Sequence, residues 1–262
     1  MDVDRHIVAL EAEGRLLAEA AGRAGLAGAV PSCPPWQVRD LLRHQGYVHR
    51  WAAAYVSVPI RAEAPELTEA EQLAGGAADD RLLDWFRDGH GALVATLRAA
   101  DPGVGSWTFL DAPSPLAFWA RRQAHETAIH RADAQLAAGQ APGYQPEFAA
   151  DGVDELIMGF FARGGAGPEP DREPAPDHNP DRTLLIRATD AGQEWRAELG
   201  ADGGRVARVS RGAGPAACVL EGPASGLYLL LWNRSEAAAA GVSVSGDGDL
   251  AAAWRTGIHV RW

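Results

Sequence analysis

Glu126 and His130 stand four residues apart in the run Arg121-Arg122-Gln123-Ala124-His125-Glu126-Thr127-Ala128-Ile129-His130-Arg131-Ala132-Asp133, whose pattern predicts one helix. At about 100° per residue, their side chains leave that helix within roughly 40° of each other. A carboxylate and an imidazole one turn apart can hold one divalent cation, with a third ligand drawn from elsewhere. Arg122 and Asp133 fall on the same stripe. Phe118, Ile129 and Leu136 project about 60–80° away, which gives the helix a core side and a polar side. His125 lies about 140° around from His130, so the two do not share an ion, and it is expected to pack beside Phe118 and Ile129. Spacing alone leaves a second reading open, in which Glu126 is a surface charge and His130 a hydrogen-bonded interior imidazole.

The chain that must position these groups has 262 residues, 47% of them hydrophobic and 23% charged, which suits a globular protein of one or two domains. Its 24 basic and 35 acidic residues give a net charge of −11, and no arginine block is dense enough to follow a phosphate backbone. Nucleic acid is therefore not an expected partner. Every basic residue is arginine, so lysine chemistry is excluded. Cys33 and Cys218 match no metal or disulfide spacing, and they are read as small buried side chains in a reducing compartment. With no apolar run of membrane-spanning length and no leader pattern at Met1 to His6, the expected location is the cytoplasm, with no membrane partner.

Helical periodicity dominates up to residue 163. Helices are expected at about 4–24, from Ser32-Cys33-Pro34-Pro35-Trp36 to about 56, at 80–99, at 115–138 and, shorter, at 146–163. The acidic stretch 61–80 reads as a surface loop. A proline-rich linker is expected at 164–182. Beyond it, short strand-like runs at 184–186, 194–199, 205–209 and 217–220 alternate with Gly and Asp turns, followed by an apolar helix at 225–232, a short strand at 242–244 and a last helix at 250–255. The expected architecture is an all-α domain at 1–163 followed by a small α+β domain at 183–262. On the second helix His44 and His49 flank the apolar stripe on opposite sides, and either can supply the third ligand.

The segments Val30-Pro31-Ser32-Cys33-Pro34-Pro35-Trp36-Gln37-Val38-Arg39-Asp40-Leu41-Leu42-Arg43-His44, Gly46-Tyr47-Val48-His49-Arg50-Trp51 and Ala124 to Arg131 together resemble the mycothiol-dependent maleylpyruvate isomerase family. So does Leu220-Glu221-Gly222-Pro223-Ala224-Ser225-Gly226-Leu227-Tyr228-Leu229-Leu230-Leu231-Trp232-Asn233-Arg234 in the second domain. The resemblance implies a DinB-like metal-binding four-helix bundle at the N-terminus. Its pattern places the helix-two ligand at His44, leaving His49 to a hydrogen-bonded role. The implied ligand set is His44, Glu126 and His130, and zinc suits two imidazoles and a carboxylate with one position left open. Mycothiol is the implied thiol cosubstrate, and a metal-bound thiol is deprotonated.

The implied chemistry is either isomerisation or S-transfer. In the first, the thiolate adds to a conjugated cis double bond, the adduct rotates, and elimination returns the thiol with the trans product. In the second, the thiol passes to an electrophile. The family also carries an acid at the position of Asp133, expected to orient His130 or to hold the thiol, and an arginine at the position of Arg234, expected to meet a substrate carboxylate. Arg122 is a further candidate for holding the cosubstrate. Trp119, on the Glu126 stripe, is a candidate pocket wall. The partners so implied are mycothiol and a small electrophile or unsaturated acid, with the chain a monomer or dimer. The alternative reading is a non-catalytic metal-containing protein that binds a ligand or thiol.

Overall fold

The computed structural model describes residues 1–58, 69–162, 180–200, 205–258 and 260. Contacts divide the chain into two compact units, Met1–Pro142 and Gly143–Trp262. The first is a bundle of four long helices: α1 (Val3–Ala24), α2 (Val38–Ser57), α4 (Leu82–Ala99) and α5 (Pro115–Ala137), with the short α3 (Glu69–Ala74) between α2 and α4. Helix α1 packs on α5 and α4, and α2 packs on α4 and α5. The ends are specified locally. Asp2 accepts a hydrogen bond from the backbone N–H of Arg5, and Ser114 accepts one from Ala117 just before Pro115. Gly25, at φ 74°, ends α1 in a conformation that disfavours a side chain.

From Phe118 to Asp133 every residue of α5 except Arg121 is buried. The expected core side is present, with Phe118 and Ile129 buried, but the polar side is buried too. A helix surrounded by neighbours has no solvent face, so its charged groups must find partners inside the protein. The aromatic part of the core gathers Trp51, Tyr55, Phe118 and Trp119. Trp119 is wholly buried among these rings. The stretch expected to be a loop at 61–80 is partly structured: α3 packs on α2, and a 3₁₀ turn follows at Asp79–Arg81. Residues 59–68 lie outside the described residues.

The second unit begins earlier than residue 163. Helix α6 (Pro146–Asp154), continued as a π-helical turn at Glu155–Phe161, packs on α7 (Ala224–Leu231) and on a sheet strand. Tyr144 meets Tyr228, Phe160 meets Trp232 and Phe161 meets Trp254. Periodicity reveals an apolar face but not which neighbour covers it, and that is why the sequence pattern assigned α6 to the bundle. The expected linker at 164–182 falls outside the described residues except for a 3₁₀ turn at Pro180–Arg182.

The sheet holds β1 (Thr183–Ala188), β2 (Gln193–Leu199), β3 (Val206–Arg211), β4 (Cys218–Gly222) and β5 (Ser243–Gly246) in the order β3-β2-β1-β4-β5. Among the described residues, only the β1–β4 pairing is parallel. Helix α8 (Gly248–Gly257) packs on β4 and β1, and the architecture is the expected helical bundle followed by a small α+β unit. No helix among the described residues is long and apolar enough to cross a membrane.

Candidate metal centre

Helices α2 and α5 bring His44, Glu126 and His130 together, with one ligand atom of each lying within 4.8 Å of the others. His130 Nε2 is 3.3 Å and His44 Nε2 3.6 Å from the same oxygen, Glu126 Oε1. Ligands 2.0–2.1 Å from a tetrahedral cation are separated by roughly 3.3–3.4 Å, so these spacings match the edges of such a site. His44 Nε2 is buried and has no hydrogen-bond partner, a cost that a cation would remove. The donor set therefore fits a divalent metal.

Each ligand is held from behind. His130 Nδ1 donates to Asp133 Oδ2 at 2.9 Å, and His44 Nδ1 donates to Gln72 Oε1 on α3 at 3.0 Å. Both rings thus direct Nε2 toward Glu126. Arg122, one turn before Glu126, donates to Oε2 at 3.0 Å and leaves Oε1 facing the imidazoles. Asp133 is wholly buried and also accepts from Ser32 Oγ and, at 3.7 Å, from Cys33 Sγ. Trp36 lies over both rings, its centroid 5.1 Å from that of His44 and 6.4 Å from that of His130.

Burial alone would raise the Glu126 pKa, but the His130 and His44 rings and the Arg122 charge outweigh it and hold the carboxyl well below its usual range. For His130, burial would lower the pKa, and the opposing pull of Asp133 and Glu126 raises it. A cation at this site therefore competes with a proton on the imidazole.

His49 is not part of the trio. It is wholly buried, with Nε2 2.9 Å from both Gln45 Nε2 and Thr127 Oγ1, so Gln45 and Thr127, the neighbours of His44 and Glu126, form a polar contact between α2 and α5 behind the site. Burial, and next the nearby His90 ring, push the His49 pKa well below 6.5; burial likewise lowers His90. A folded-state pKa below the unfolded value gives stability that is present above pH 6.5 and lost as the pH falls, because the unfolded chain takes up the proton first. His130 acts in the opposite sense. Urea midpoints at about pH 7 and about pH 5 are therefore compared between wild type and His49→Gln. Wild type is expected to lose more stability over that interval than the variant, and parallel losses would show that His49 does not carry the effect.

Of the other expected site residues, Arg122 is 1% exposed and donates a hydrogen bond to Glu126. His125 is wholly buried and meets the ring of His6 edge-on. Arg234 follows α7, where Asn233, at φ 59°, and Arg234 close the helix through backbone N–H groups to Leu230 and Leu229, and the Arg234 guanidinium donates to the Trp232 carbonyl. Sequence reasoning missed Gln72, Ser32 and the wall formed by Trp36. Ser32 and Trp36 stand in the quoted Ser32-to-Trp36 run, but nothing local in the sequence signals their partners.

Two family models match: "Mycothiol maleylpyruvate isomerase N-terminal domain" over residues 7–135 and "MDMPI C-terminal domain" over 147–253. The chain belongs to the mycothiol maleylpyruvate isomerase family. That family is one of enzymes, and its two-part pattern agrees with the two compact units. Two solved structures, a mycothiol-dependent maleylpyruvate isomerase and a point mutant of it, each match with 13% identity and a TM-score of 0.62, covering 94% of this chain and 95% of theirs. At that identity they show the shared fold alone. No curated protein matches the sequence.

Proposed function

We propose that this member of the family holds one divalent metal, zinc by preference, through His44, Glu126 and His130, and uses it to present mycothiol as a nucleophile. The observation that carries this reading is the convergence of two buried Nε2 atoms on one carboxylate oxygen, with each ring's Nδ1 already engaged. Zinc suits an N, N, O donor set, though such sites also accept other first-row metals. When bound, the ion supplies an acidified thiol, so that the thiolate is available at neutral pH.

The protein's own groups do the positioning. Asp133 holds the Nδ1 proton of His130 and so keeps the lone pair on Nε2. Arg122 balances the Glu126 charge in a buried setting where water cannot. Trp36 covers the two rings and limits water above them. We further propose Arg234 as the partner of a substrate carboxylate, a role that rests on the family resemblance. The reaction best supported is thiol addition to a conjugated cis double bond, rotation and elimination. S-transfer to an electrophile shares the thiol-activation step. A reducing cytoplasm would supply the thiol.

Maleylpyruvate offered with and without mycothiol tests the proposal. Isomerisation is expected only with the thiol. Asp133→Asn should retain most of the metal and lower turnover or thiol affinity by about tenfold or more, since it loses the charge behind His130 but keeps an acceptor. Absence of any thiol-dependent reaction, with maleylpyruvate or with simple electrophiles, would favour a protein that binds ligand or thiol without catalysis.

A further inference from the structure

We propose that Gln72, on the short helix between α2 and α4, is a positioning residue that fixes the tautomer of His44; this rests on the metal reading above. An amide oxygen can only accept a hydrogen bond. With Gln72 Oε1 3.0 Å from His44 Nδ1, the proton sits on Nδ1 and the lone pair on Nε2, the atom 3.6 Å from Glu126 Oε1. Asp133 does the same for His130 with a charged group, so the two imidazoles differ in basicity: one is backed by a carboxylate, the other by a neutral amide.

The segment carrying Gln72 is tied down close by. Asp79, in the turn after α3, accepts from Arg39 and from Arg43, the residue next to His44. Helix α3 and the turn after it thereby become part of the metal site and not merely a connection.

Gln72→Leu removes the acceptor at similar size, and Gln72→Glu keeps it. Nitrogen-15 spectra of the histidine rings in metal-free protein read the tautomer directly, and chelator competition reads zinc affinity. Wild type is expected to show the Nδ1–H form of His44. The Leu variant should mix tautomers and bind zinc about 10–100-fold more weakly, while the Glu variant preserves both properties. An unchanged tautomer in the Leu variant overturns the proposal whatever the affinity does, and so does unchanged zinc affinity. If wild type binds no zinc, the metal reading itself fails, yet the spectra, taken without metal, still decide whether Gln72 sets the tautomer of His44.

Discussion

One divalent ion per chain is expected in the purified protein, and His130→Ala and His44→Ala should each lose it. The ion joins α2 to α5, two helices far apart in sequence, so it favours the folded bundle by mass action. At a free concentration a thousandfold above its dissociation constant, the gain is about 4 kcal/mol. Chelation should lower the melting temperature of wild type and leave that of His130→Ala unchanged. His49→Ala should keep the metal, because His49 Nε2 is already engaged by Gln45 and Thr127. Elemental analysis of the four proteins checks this. Equal metal in wild type and His130→Ala would refute the ligand assignment, and loss in His49→Ala with retention in His44→Ala would move the third ligand to His49.

A second large effect is expected at the pair behind the site. Arg122 and Glu126 are 1% and 5% exposed and lie 3.0 Å apart, so removing the carboxylate takes an ion-pair partner from a buried guanidinium. Breaking such a pair costs about 3–5 kcal/mol, whereas replacing both members with neutral groups of similar volume is often close to neutral. In excess chelator, which removes the contribution of the metal, Glu126→Ala should lower the unfolding free energy by that amount. The double variant Arg122→Met with Glu126→Gln should recover most of the loss. Urea denaturation of the single and double variants measures the coupling, and additive losses would show that the pair does not act as a unit.

The parts of this arrangement that repeat along one helix were legible in the sequence. Glu126, His130, Asp133 and Arg122 share one stripe of α5, and a period of 3.6 fixes their mutual positions before any tertiary contact is known. The strands and helices of the second unit were legible for the same reason, because Gly and Asp turns bracket short apolar runs. What required the fold was everything that joins separate elements. Spacing could not choose between His44 and His49, since both border the stripe of α2, and the choice came from the family pattern. The structure places His44 at Glu126 and His49 in the interior. Gln72 lies in a stretch whose acidic composition suggests only a loop, and the apolar face of α6 does not by itself say which neighbour covers it. The bond from Arg122 to Glu126 inside the protein follows from the burial of α5, which the stripe of charged residues does not announce.

If the site activates a thiol, cobalt substitution makes the metal–sulfur bond visible. Cobalt takes the same donor set as zinc and reports its ligands in the near-ultraviolet. On addition of mycothiol to the cobalt protein, a sulfur-to-metal charge-transfer band is expected, saturating at one thiol per metal and absent from His130→Ala. A cobalt protein whose spectrum does not change with saturating mycothiol would show that the site does not bind the thiol through its metal.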